Sequence, residues 1–204
     1  MKLFYSPGAC SIGIHVLLEE IGKPYETQLV KLREGAQFAA EYTSVNPKSK
    51  VPALQRDDGS ILTEYPAIAY WLARTNPEAR LWPDDVESQV RALEMMDYLI
   101  ATTHMHGFSR IFRPVGFAPS EGDAETVRAR GLEIFGNGLA LLDRTLAGKE
   151  YVTGAFSIAD TVAFYIEFWA TARNVPLPAN CAAHYARMLA RPSVQRVMQQ
   201  EGLA

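Results

Sequence analysis

Cysteine is scarce in this chain, with 2 residues in 204. Cys10 and Cys181 lie far apart, and position 13 is Gly, so there is neither metal-type spacing nor a Cys-x-x-Cys pair. These absences argue against a disulfide scaffold, a zinc ribbon or any bound metal, and any exchange chemistry has to be monothiol. Basic residues are scattered, no basic run exceeds two, and the net charge is −3, which argues against a nucleic-acid partner. No apolar stretch approaches the ~20 residues of a membrane span. The N-terminus enters a strand without the apolar core of a signal peptide, so a reducing, cytoplasmic setting is expected. There is no internal repeat and no low-complexity segment.

What remains is an ordinary globular composition, 48% apolar and 21% charged, long enough for one large domain or two small ones with a real core. The first ~80 residues alternate strands and helices. Lys2 to Tyr5 reads as a strand, Ser11 to Ile21 as a helix ending near Gly22 and Pro24, and Tyr25 to Val30 as a second strand. Phe38 to Ser44 suits a short helix. Val51 to Gln55, a turn at Asp57-Asp58-Gly59-Ser60 and Ile61-Leu62 read as a hairpin. A helix follows from about Pro66, where proline suits the first helical position. Past Pro77 and Pro83 the pattern is helical only: Val86–Phe112, a loop at 114–122, about Ala124–Leu146, and three further helices. Domains are expected at 1–78 and 85–204, the first α/β and the second all-α.

Cys10 lies in Tyr5-Ser6-Pro7-Gly8-Ala9-Cys10-Ser11, between the first strand and the first helix. A thiol at a helix N-terminus meets unpaired N–H groups and the positive end of the helix dipole, so its pKa is expected below the free value of ~8.5. The same N–H groups can bind an anionic or thiolate ligand. Ser157 with Asp160 three residues on resembles a capping box and is read as structural. His15, inside the first helix, is also read as structural.

The Cys10 segment is followed by Asn46-Pro47-Lys48 with Val51-Pro52-Ala53-Leu54, then Leu62-Thr63-Glu64, Phe156-Ser157-Ile158-Ala159-Asp160, and Arg191-Pro192-Ser193-Val194. In this order and spacing the chain resembles the cytosolic glutathione S-transferases, most closely their bacterial beta class. The resemblance implies a thioredoxin-like N-terminal domain, an all-helical C-terminal domain, a cis Pro52 and a homodimer, with Leu93, Met95 and Met96 adding apolar content to the long helix. It implies glutathione as co-substrate, a small hydrophobic electrophile as acceptor, a catalytic Cys10 that either assists conjugation or exchanges as a monothiol through a mixed disulfide with glutathione, and a role in detoxification. Glutathione would contact Ala9, Cys10, Ser11, Arg33, Val51, Pro52, Glu64, Tyr65 and Asp97. Glu64 would take its amine, Arg33 a carboxylate, and the cysteinyl backbone would pair with Val51 as an added strand.

Two places depart from the family pattern. After Glu64 the family has Ser or Gly, and here Tyr65 loses a hydroxyl cap. The family's active-site histidine falls on His104 counted forward from Asp97-Tyr98, and on Met105 counted back from Gly107-Phe108. The run His104-Met105-His106 therefore holds one extra residue, a π-bulge signature. At ~100° per residue His104 shares the helix face of Asp97, so His104 is preferred over His106 as the catalytic histidine. Tyr5, Phe108, Phe112 and Phe117 are expected to wall the acceptor site. Two alternatives stay open: a glutathione-binding or chaperone-like module with little turnover, and a specialised dehalogenase, isomerase or ether-cleaving enzyme.

Overall fold

The structure, a computed structural model, describes residues 1–204 apart from the side chain of Glu121. Its strands are β1 (Lys2–Tyr5), β2 (Glu26–Leu29), β3 (Ala53–Gln55) and β4 (Ile61–Thr63). Its α-helices are α1 (Ser11–Ile21), α2 (Ala40–Thr43), α3 (Tyr65–Thr75), α4 (Val86–Asp97), α5 (Ser109–Phe112), α6 (Ala124–Leu146), α7 (Ile158–Ala172), α8 (Ala179–Leu189) and α9 (Pro192–Gln200). A π-helix, Tyr98–Phe108, joins α4 to α5 without a break. The chain divides into two compact units, residues 1–82 with 188–204, and residues 83–187.

The first unit is built on a mixed sheet ordered β2-β1-β3-β4. β1 pairs parallel to β2 with Lys2 opposite Glu26, which requires the crossover that α1 supplies. β3 runs antiparallel to β1 and to β4, setting Leu54 beside Leu3 and Leu62. Ile12, Ile14, Val16 and Leu17 of α1 have no exposed surface, nor have Ile68 and Leu72 of α3, and α1 and α3 are in contact. Residues 188–204, expected with the helical domain, group with this unit because α9 packs on α1. Arg191 and Ser193 there bond to Glu20, and Arg196 to Glu19.

The second unit is helical. Asp85 caps α4 by accepting the Ser88 N–H at 2.8 Å. The π-helix packs closely on α6, and glycines make this possible. A Cβ at Gly107 would stand 2.9 Å from the Phe135 backbone nitrogen, and one at Gly138 would run into Thr103. The capping box of α7 is formed. The Ala159 N–H donates to Ser157 Oγ, and Asp160 Oδ2 accepts the Ser157 N–H at 2.7 Å. Asp160 Oδ1 also accepts the Val152 N–H at 2.7 Å and meets His184 Nε2 at 3.2 Å. His184 Nδ1 lies 2.8 Å from Glu167, so one buried ring bridges two buried carboxylates. Among the described residues no helix is long and apolar enough to cross a membrane.

Candidate functional site

The site in the first unit forms where β1 runs into α1. Ser6, Pro7, Gly8 and Ala9 turn the chain, with the Ala9 N–H bonded to the Ser6 carbonyl at 3.0 Å. The Ser11 side chain is fully buried. Its hydroxyl bonds both the N–H and the carbonyl of Ser6, each at 3.2 Å, so it braces the turn from inside and its hydroxyl is not free for a ligand. The Gly8 N–H donates to Glu201 at 2.8 Å, and the other oxygen of that carboxylate meets His15 Nδ1 at 2.9 Å. His15 is structural, as expected, but its partner from the chain's end carries no sequence signal.

Across from this turn, Asn46 shapes the approach to Pro52. Its buried side chain accepts the Lys48 N–H at 3.1 Å and donates to the Lys50 carbonyl at 2.8 Å, where Tyr42 Oη also donates at 2.6 Å. The Val51–Pro52 bond is cis, as the resemblance implied. The Val51 carbonyl accepts the Cys10 thiol at 3.4 Å, while the Val51 N–H has no partner among the described residues. Ala9 packs on the same cluster, with Val51, Phe4 and Ala53.

The thiol does not behave as the helix argument predicted. Cys10 is partly exposed, yet burial of the sulfur pushes its pKa up to about 12. The N–H groups of Cys10 and Ser11 and the charge of Lys50 pull the other way but do not win, and Glu64 adds to the rise. Desolvation of a thiolate outweighs the helix end. Lys50, overlooked in the sequence, is an exposed cation near the thiol, with no ion pair among the described residues. Its signal was adjacency to Val51-Pro52.

Glu64 is the N-cap of α3 and sits at φ 71°, in the left-handed region that a non-glycine residue adopts at a cost of about 1–3 kcal/mol. Its exposed carboxylate accepts Lys48 Nζ at 2.8 Å, and Lys48 also donates to Thr63 Oγ1 at 2.9 Å. Tyr65 is therefore the first helical residue rather than the cap, and its side chain is buried, only 5% exposed. Arg33 is exposed on a 3-10 turn, Leu32–Glu34, whose Leu32 packs on the Val51 cluster. The structure thus gathers Ala9, Cys10, Lys48, Lys50, Val51, Pro52 and Glu64 in one unit. Tyr5 faces elsewhere: its ring lies 5.5 Å from His15 and lines a cavity of about 580 Å³ with Tyr25 and Gln200, which neither Cys10 nor Val51 lines.

In the second unit the extra residue expected near His104 is spread over the eleven-residue π-helix. Hydrogen bonds from i to i+5 widen each turn, so seven residues fall short of two turns and Asp97 and His104 no longer share a face. Asp97 and His106 are exposed. His104 is half-buried, its ring 4.7 Å from Trp169 and its Nδ1 3.5 Å from Tyr165 Oη. Phe108 is buried and stacks on Trp169 at 4.1 Å, whereas Phe112 and Phe117, also expected as acceptor walls, are open to solvent.

The comparisons agree with this architecture. Residues 8–75 match the family model of the glutathione S-transferase N-terminal domain. Glutathione S-transferase GstA of Escherichia coli O157:H7 is 38% identical over 208 residues, covering all of both chains. A beta-class glutathione S-transferase of Sphingomonas chungbukensis superposes with a TM-score of 0.83 at 34% identity over all of both chains. A glutathione transferase homologue from Sulfitobacter, solved with bound glutathione, gives 0.90 at 27% identity over all of this chain and 98% of its own. With a thioredoxin-like unit that matches the family model and a full-length relative at this identity, the chain belongs to the glutathione S-transferase family.

Proposed function

We propose that the protein conjugates glutathione to small electrophiles, and that Cys10 acts as a hydrogen-bond donor rather than as the nucleophile. The observation that carries this is the Val51 peptide, whose N–H has no partner among the described residues while its carbonyl holds the Cys10 thiol. An extended cysteinyl peptide needs one donor and one acceptor from such an edge. When its N–H takes the Val51 carbonyl, the Cys10 S–H is released and can turn to the incoming sulfur. A donor beside that sulfur favours its thiolate. Glu64 is suited to the γ-glutamyl amine, the first turn of α3 to the adjacent carboxylate, and Lys50 or Arg33 to the other carboxylate.

The chemistry is displacement or addition at carbon. The glutathione proton passes to water, the sulfur lone pair forms the new S–C bond, and a leaving halide departs with its bonding pair. Disulfide exchange through Cys10 is disfavoured. Burial raises the Cys10 pKa, so the thiolate that would attack a disulfide is scarce at pH 7. The free thiol suits the reducing cytoplasm, and conjugation there fits detoxification. Val86, Val90 and Leu93 form an exposed apolar line along α4, 73%, 50% and 42% exposed, which a second copy of the chain would cover in a homodimer.

The test is turnover with an activated aryl halide beside turnover with a glutathione mixed disulfide. Conjugation well above the disulfide rate is expected, and Cys10→Ser should keep a large part of it. A dominant disulfide activity lost in Cys10→Ser would overturn the assignment. Retention on immobilised glutathione with neither activity would favour a binding module.

A further inference from the structure

We propose that Glu201 is a positioning residue for the thiol turn, held in its working orientation by His15, so that the end of α9 sets where Cys10 stands. Glu201 directly follows α9, and its side chain has no exposed surface. One carboxylate oxygen accepts the Gly8 N–H at 2.8 Å, and the other meets His15 Nδ1 at 2.9 Å. The carboxylate accepts, so Nδ1 is the ring nitrogen that carries the proton. Gly8 has φ 66°, in the left-handed region, where the chain reverses between β1 and α1 just ahead of Ala9 and Cys10. Fixing its peptide plane fixes the path of the chain into Cys10. Ser11 braces this turn from inside through Ser6, and Glu201 clamps it at Gly8.

The other edge of His15 shows that this clamp is not kept for stability alone. The residue is 1% exposed, and its Nε2 has no hydrogen-bond partner among the described residues. A buried ring nitrogen left unpaired destabilises a fold. An apolar side chain would fill the space beside the Tyr5 and Tyr25 rings without that cost. What the histidine adds is the Nδ1 donor that orients Glu201. Glu201 itself is delivered by the packing of α9 on α1, which Arg191, Ser193 and Arg196 tie to Glu20 and Glu19. All of these residues lie in one compact unit with Cys10. While the turn is held, the thiol stays buried against the Val51 carbonyl at 3.4 Å, and burial pushes its pKa up to about 12. Once the turn is loosened, water reaches the sulfur and the pKa relaxes toward the free value of ~8.5.

The experiment follows alkylation of Cys10 by iodoacetamide against pH, read by mass spectrometry, with conjugation of an activated aryl halide measured beside it. Only the second arm rests on the transferase reading. In the wild type the alkylation rate should still be climbing at pH 10. Glu201→Ala should react faster at pH 8 and reach a plateau by about pH 10, as a thiol near ~8.5 does. Glu201→Gln keeps an acceptor for the Gly8 N–H, and its amide can donate to His15 Nδ1 once the ring proton sits on Nε2, so it should retain the wild-type profile. Lys50 and Glu64, the charged groups that act on the thiol, are unchanged in every variant. Glu201→Ala should also lower kcat roughly tenfold with little change in the KM for glutathione, because a displaced donor is felt in the reacting geometry. A merely structural Glu201 would shift the melting temperature and leave both readouts alone. Where Glu201→Ala does not fold, His15→Leu carries the test, and its profile should shift the same way by a smaller amount. A wild-type profile in the folded variant, or a Glu201→Gln profile that matches Glu201→Ala, overturns the inference. A shifted profile in a protein without conjugation activity would instead overturn the transferase reading and leave the clamp standing.

Discussion

The Cys10 thiol donates to the carbonyl of Val51 at 3.4 Å, across the gap between two turns that are each braced from behind, by Ser11 on one side and Asn46 on the other. The thiol is therefore a positioned donor in a place where its anion is disfavoured. Alkylation of Cys10 should accelerate steadily with pH and show no plateau below pH 10, because the folded pKa is pushed up to about 12. Cys10 should still react much faster than the fully buried Cys181. Saturating glutathione should protect it. A plateau near pH 7 in the rate profile would show a stabilised thiolate.

Glu64 is exposed and pairs with the exposed Lys48, so a ligand amine displaces a solvated partner rather than a buried one. Glu64→Ala should weaken glutathione binding about tenfold to a hundredfold, the range for a charge-assisted hydrogen bond. Tyr65 is buried, so Tyr65→Ser should leave affinity nearly unchanged and cost stability, about 3–5 kcal/mol for an emptied aromatic site. Titration calorimetry and urea unfolding separate the two effects.

His104 is held between Trp169 and Tyr165, while His106 is exposed. His104→Ala should lower kcat and kcat/KM together with little change in glutathione binding, as for an interaction made mainly in the transition state. His106→Ala should be nearly silent. The reverse order in steady-state kinetics would place the working histidine on the other side of Met105.

Burial alone would lower the His184 pKa, but hydrogen bonds and charge from Asp160 and Glu167 raise it to about 9. A histidine raised in the folded state contributes stability that is complete below its unfolded pKa of ~6.5 and is lost as pH rises through the folded value. Glu167, raised by burial to about 7, pushes in the same direction at lower pH. Urea unfolding should therefore show stability falling as pH rises between 6.5 and 9.5. His184→Gln should flatten that slope. Constant wild-type stability across this window would mean the ring is neutral throughout.

Local signals carried much of this fold. The hairpin at Asp57 to Ser60, Pro66 inside α3, the span of α6 and the Ser157–Asp160 capping box were all readable because each rests on residues a few positions apart. The extra residue near His104 was readable as two counts that disagree, but its spread over a π-helix was not, since it depends on packing against α6. Two site features were hidden for other reasons. Glu201 reaches Gly8 and His15 from the far end of the chain, which no local pattern announces. The rise in the Cys10 pKa was hidden because a helix end is a local cue, whereas burial of the sulfur depends on residues distant in sequence.

The seating of the π-helix on α6 also bears on how this chain can change length over time. Chains usually absorb insertions in loops, where neighbours do not care. Here Gly107 sits against Phe135 and Gly138 against Thr103, matched like teeth on two gears. Removing one residue between 98 and 102 would set a different side chain against Gly138 and turn His104 away from Trp169. The length of this helix and the small residues opposite it act on one and the same contact.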